Sequence, residues 1–254
     1  MNVLDPKSGI LAGELPCGFL VNGKVQKDYV VREMTGEEED LLAGRGSALL
    51  RLNQVITNCT VSVGGVEDKQ TVSRIVKGLT AVDRMVMLLD IRRATLGDLY
   101  NMRLKCPSCS QESSSSVNLS HVERVPMEEP ELRDREDTLE SGLVVKWHIM
   151  TGKDEEWLTK ASQRLKGKGQ ATLAMLSRVD EIDGEALDRV KALPVCLKKL
   201  KGLRMRDRLA IRALFKKHEG TVDTEVDWTC IHCGHSAMLE LDVGQEGFFF
   251  PADQ

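Results

Sequence analysis

Two short cysteine pairs, Cys106-Pro107-Ser108-Cys109 and Cys230-Ile231-His232-Cys233, stand 120 residues apart in this 254-residue chain. A two-residue spacer lets one tight turn aim both sulfurs at a single point, and four thiolates complete the tetrahedral shell of a Zn2+ ion. Each pair alone is half of such a shell. The residue after the second cysteine of each pair, Ser110 or Gly234, is small and suits a turn whose backbone N–H groups point at the sulfurs. The expected cofactor is therefore one structural zinc ion held by Cys106, Cys109, Cys230 and Cys233. Closing a loop of this length costs about 4 kcal/mol plus a constant, against about 10–16 kcal/mol for structural zinc in small domains. A redox dithiol at either pair and metal-free thiols remain alternatives, and His232 or His235 could each replace a thiolate. The other three cysteines, Cys17, Cys59 and Cys196, read as small buried hydrophobes.

The elements around these pairs predict an α+β fold. An extended arm is expected over residues 1–18, where glycine and proline recur without periodicity. Residues 19–105 read as an α+β region. Its hairpin turns at Asn22-Gly23, a helix begins at the Thr35/Glu38 capping box, and Thr80 to Thr95 forms a central helix with an apolar face. Strands flank both cysteine pairs, giving a zinc-ribbon-like unit from 106–150 and 221–247. Within it, the acidic run Glu128 to Glu140 reads as an exposed linker and Leu143 to Met150 as a strand. Residues 151–220 show no strand-like run and predict an inserted helical region, with helices near 154–165, 171–178, 185–193 and 205–218. Gly220 is expected to end the last of these in a left-handed conformation. Residues 248–254 form an aromatic tail.

The net charge of −4 conceals a division. From Arg189 to Lys217 there are eleven lysines or arginines against the single acid Asp207, a net +10, which leaves −14 on the remainder. In the last predicted helix Arg204, Arg208, Arg212 and Lys216 recur every four residues and align as a stripe beside Met205, Leu209 and Ala213. That stripe reads as a solvated face, as a docking face for an acidic protein surface, or as a nucleic-acid contact. The 4% aromatic content offers few stacking partners and argues against nucleic acid. Phe248, Phe249 and Phe250 either fold back onto the core or anchor in a partner's pocket. His121, His148 and His218 are scattered and read as structural or surface residues. No nucleophile–base pair, phosphate-cradling glycine loop or carboxylate pair stands out, so neither an enzyme nor a small-molecule substrate is expected. No stretch is apolar for long enough to span a bilayer and no signal peptide is evident, so a soluble cytosolic product without membrane partners is expected.

Several short stretches, in order along the chain, carry a resemblance. They are Arg32-Glu33-Met34-Thr35-Gly36-Glu37-Glu38, then Leu79-Thr80-Ala81-Val82-Asp83-Arg84 with Leu88-Leu89 and Ile91-Arg92, then Thr95-Leu96-Gly97-Asp98 running into the first cysteine pair. The second pair and Phe248-Phe249-Phe250-Pro251 complete it. In these the chain resembles the T4-type phage baseplate proteins, hub or hub-assembly components of contractile tails and related injection systems. The resemblance implies a non-catalytic structural or assembly protein of the hub or wedge region, found in the virion tail if retained there. Its partners would be other tail proteins of the hub, wedge, tube or tape measure. A tail assembly chaperone that leaves the particle, a zinc-ribbon nucleic-acid-binding regulator and a thiol oxidoreductase are the competing readings.

Overall fold

The structure is a computed structural model and describes residues 3–5, 9–241, 243 and 246–249. It is an α+β fold. The first part of the chain contributes β1 (Val3–Asp5), β2 (Ile10–Val21), β3 (Lys24–Arg32), α1 (Gly36–Ala43), α2 (Ala48–Cys59), β4 (Thr60–Val63), α3 (Lys69–Gly78) and α4 (Ala81–Leu96). The four strands form an antiparallel sheet in sequence order. Asn22 and Gly23 both take positive φ, 49° and 75°, as the tight β2–β3 turn requires.

The expected N-terminal arm is corrected here. Its residues 10–18 lie inside β2, with Leu11, Leu15 and Cys17 fully buried. The glycines that suggested an arm serve close packing instead. A Cβ at Gly13 would lie 2.6 Å from the Tyr29 hydroxyl, and Gly18 combines a φ of 70° with the Gln26 carbonyl crowding the place its Cβ would take.

α4 is the axis of this half. The Thr80 hydroxyl caps it by accepting the Asp83 N–H at 3.2 Å, and Gly97 ends it at a φ of 83°. Sequence periodicity predicts one apolar face, yet the helix is buried nearly all round, polar residues included. Burial demands partners for such side chains, and most of their polar atoms have them among the described residues, Arg92 Nη2 being an exception. Asp83 accepts the Cys17 and Gly18 N–H groups at 2.7 and 3.3 Å. Asp90 accepts from Tyr29, from Arg93 at 2.9 Å and from Arg124 at 2.7 Å.

The chain then makes β5 (Leu99–Lys105), β6 (Glu112–Asn118), a 3-10 turn and β7 (Arg124–Val125) before entering a second layered unit. That unit comprises β8 (Asp134–Thr138), β9 (Val144–His148), α5 (Gly152–Arg164), α6 (Gln170–Leu176), β10 (Val179–Ile182), β11 (Glu185–Ala186), α7 (Leu193–Gly202) and α8 (Met205–His218). Its sheet runs β11-β10-β9-β8, and its core gathers Trp147, Val179, Leu200, Ile211 and Phe215. Three expectations are corrected. Glu128 to Glu140 is no linker throughout, because residues 134–138 pair with β9 as an edge strand. Residues 151–220 are not purely helical, because β10 and β11 complete that sheet. The helix expected over 185–193 is instead strand and turn, with α7 starting at Leu193 and Pro194 in its first turn.

β12 (Thr221–Val222) returns to pair with β7, and β13 (Glu225–Thr229), β14 (Ser236–Glu240) and α9 (Glu246–Phe249) end the described chain. Gly220 does not take the left-handed conformation expected of it. A side chain there would meet the Val125 carbonyl at 2.5 Å, so glycine lets β12 approach β7. Among the described residues no helix is long and apolar enough to cross a membrane.

Candidate metal centre

Each cysteine pair occupies the tip of a two-stranded hairpin, the first between β5 and β6 and the second between β13 and β14. The two tips are built alike. Ser110 N–H donates to the Cys106 carbonyl at 2.9 Å and Cys106 N–H to Gln111 O at 2.9 Å. Gly234 N–H likewise donates to the Cys230 carbonyl at 2.9 Å, and Cys230 N–H to His235 O at 2.8 Å. Ser110 and Gly234, the small residues after each pair, take φ of 59° and 71°, a left-handed step in each turn.

The fold brings the tips together. One ligand atom from each of Cys106, Cys109, Cys230 and Cys233 lies within 4.8 Å of the others. Cys106 Sγ is 3.7 Å from Cys233 Sγ, and Cys109 Sγ is 3.8 Å from Cys230 Sγ. A tetrahedron with metal–sulfur bonds of about 2.3 Å has edges of about 3.8 Å, so the crossed pairs already stand at the spacing of a shared ion. Among the described residues no other group of three or more histidines, cysteines or acids is so placed. His232 links the hairpins instead of joining the sulfurs, its Nε2 lying 3.1 Å from the Glu112 carbonyl. Beneath the sulfurs Cys106 and Cys230 are buried against Trp228, with Leu104 and Leu239 packed alongside.

The electrostatics point the same way. Burial works against ionising Cys106, but hydrogen bonds from the Cys109 and Ser108 backbone and from the neighbouring thiols outweigh it and lower this thiol to about 6. At Cys109 the Gln111 backbone favours the thiolate, yet burial and the three other thiols prevail and push the group up to about 12. Packed without a cation, the sulfurs compete for charge; a divalent ion at their centre relieves that competition and favours loss of every proton. In a tetrahedral ion such a shell leaves no position open to a substrate.

The remaining cysteines, Cys17, Cys59 and Cys196, are buried singly, and burial raises each thiol, that of Cys59 to about 12. Inert thiols of this kind are packing residues.

The basic stripe is only partly a surface. Arg204 sits at the N-cap of α8 and Lys216 near its end, both exposed, with Arg212 half-buried between them. Arg208 points inward and is corrected to a structural residue: it donates to the Leu200 carbonyl at 2.6 Å and to Thr172 Oγ1 at 3.2 Å. The signal lay in its register, since Ile211 and Phe215 follow at helical spacing on the same buried face.

Partner docking by the aromatic tail is corrected as well. Phe248 and Phe249 are each 1% exposed and fold back onto the first core. Phe248 meets Tyr100 at 5.1 Å between ring centroids, and the Arg92 guanidinium lies 5.8 Å from its ring centre. Phe250 lies outside the described residues.

A family model described as T4 bacteriophage base plate protein matches residues 22–249. Comparison with curated proteins and with solved structures finds no match.

Proposed function

The chain belongs to the T4 bacteriophage base plate protein family, and from that premise we propose that it is a non-catalytic structural or assembly component of a phage tail baseplate, stapled internally by one zinc ion. The observation that carries the staple is the convergence of Cys106, Cys109, Cys230 and Cys233 from two hairpins 120 residues apart, with crossed sulfurs at 3.7 and 3.8 Å. Zinc suits an all-thiolate tetrahedral donor set. Isolated two-stranded hairpins are marginal in water, and the ion would join β5–β6 to β13–β14 as one rigid unit.

Neighbouring tail proteins would dock on the basic residues of the α8 region that reach the surface, exposed Arg204 and Lys216 with half-buried Arg212 between them. Mass spectrometry of purified particles tests this function. A fixed number of copies per tail supports a structural component of the hub or wedge region. Absence from finished particles, combined with failed tail assembly when the gene is deleted, identifies an assembly chaperone. Normal tails without the protein would overturn the proposal.

A further inference from the structure

The outward side of α8 is unusual for a helix packed on a core. Met205 and Leu209 are 61% and 53% exposed, and exposed Ala213 continues the seam at the same four-residue spacing. Arg212 and Lys216 border it on one side, Arg206 stands on the other, and Lys217 closes it at the same spacing. An apolar seam flanked and closed by basic side chains is the pattern of a helix that meets a partner with an apolar centre and acidic rim.

This chain carries that complement itself. Along the segment leading into and through β8, Glu128, Glu131 and Glu140 are exposed, and Leu132 among them is 42% exposed. The acidic segment and the basic helix also share a groove of about 550 Å³, with Arg206, Ala213 and Lys217 on one wall and Leu139 and Glu140 on the other. Opposite charges on the two walls of one groove suit a two-fold contact, in which each copy's basic wall faces the other copy's acidic wall. β8 is an edge strand, but Asp134 and Glu136 along it oppose direct β8–β8 pairing through like charge.

We infer that two copies of this chain associate through the exposed side of α8 and the groove beside it, the seam of Met205 and Leu209 seating against the acidic Glu128–Glu140 segment of the second copy. The inference rests on α8 being a docking face and adds the identity of one occupant.

Sedimentation of the full-length protein at low and high salt tests it with two charge-reversed variants. One carries Arg206→Glu, Arg212→Glu, Lys216→Glu and Lys217→Glu; the other carries Glu128→Lys, Glu131→Lys and Glu140→Lys. The expected result is twice the chain mass for the wild type at low salt, reverting towards a single chain as salt rises. Each variant alone, with an unchanged far-ultraviolet spectrum, runs as a single chain, and an equimolar mixture of the two regains the doubled mass. A wild type that stays a single chain at every concentration overturns the inference, as does a folded mixture that fails to pair. If the wild type is monomeric while the α8 reversal still abolishes incorporation into tails, self-association fails and docking on other tail proteins stands.

Discussion

His148 offers a sharp test of how the second unit is held together. It projects from β9 with 17% of its side chain exposed, Nδ1 2.6 Å from Asp180 on β10 and Nε2 3.3 Å from Asp154 at the start of α5. Asp154 also accepts Arg189 at 2.5 Å and the Thr151 N–H at 3.0 Å, so one cluster pins a strand, a helix start and the loop before α7. Burial opposes protonation of the imidazole, but the Asp154 and Asp180 carboxylates outweigh it and raise the group from 6.5 to about 9. At roughly 1.4 kcal/mol per pH unit that rise amounts to about 3 kcal/mol of stability. Because the folded value is the higher one, the contribution is complete below about pH 6.5, declines between there and 9, and is absent above. The perturbation is His148→Gln, which cannot carry the charge, and the assay is urea unfolding of both proteins between pH 6 and 10. The stability gap between wild type and variant should shrink by about 3 kcal/mol across that range. A gap that does not change with pH would refute the charged clamp.

The folded-back tail and the close approach at β12 give two further tests. Phe249→Ala should cost about 3–5 kcal/mol in urea unfolding, as for other buried phenylalanines; a surface-like loss under about 0.5 kcal/mol would contradict its burial. Gly220→Ala forces a methyl group against the Val125 carbonyl and should lower stability by about 1–3 kcal/mol, with hydrogen exchange accelerating at residues 124–125 and 221–222. Unchanged exchange there would contradict the contact.

The two cysteine turns were legible because their information is local: a two-residue spacer and a small following residue fix each turn whatever the rest of the chain does. The capping box at Thr35 and the Asn22-Gly23 turn were readable for the same reason. What the sequence concealed depends on tertiary partners. β8 is Asp-Arg-Glu-Asp-Thr, an edge strand without apolar alternation, and only its ladder with β9 makes it a strand. β10 has Asp180 and Glu181 at its centre and buries only its ends, Val179 and Ile182. Arg208 looks like its neighbours in the stripe until the core face of α8 is known. Asp83 and Asp90 on α4 imply a solvated face, whereas the structure buries them with their partners. The tail phenylalanines suited either outcome, and the direction of their packing is set by Tyr100 and Arg92 far away in sequence.

The central claim is that one zinc ion joins the two hairpins. Elemental analysis of the purified full-length protein, paired with thiol titration before and after chelation, measures it directly. The account predicts one zinc per chain, four thiols that react only after the ion is removed, and loss of the ion in Cys109→Ser or Cys230→Ser. Folded protein with no bound metal, its four hairpin thiols reacting at once, would contradict it.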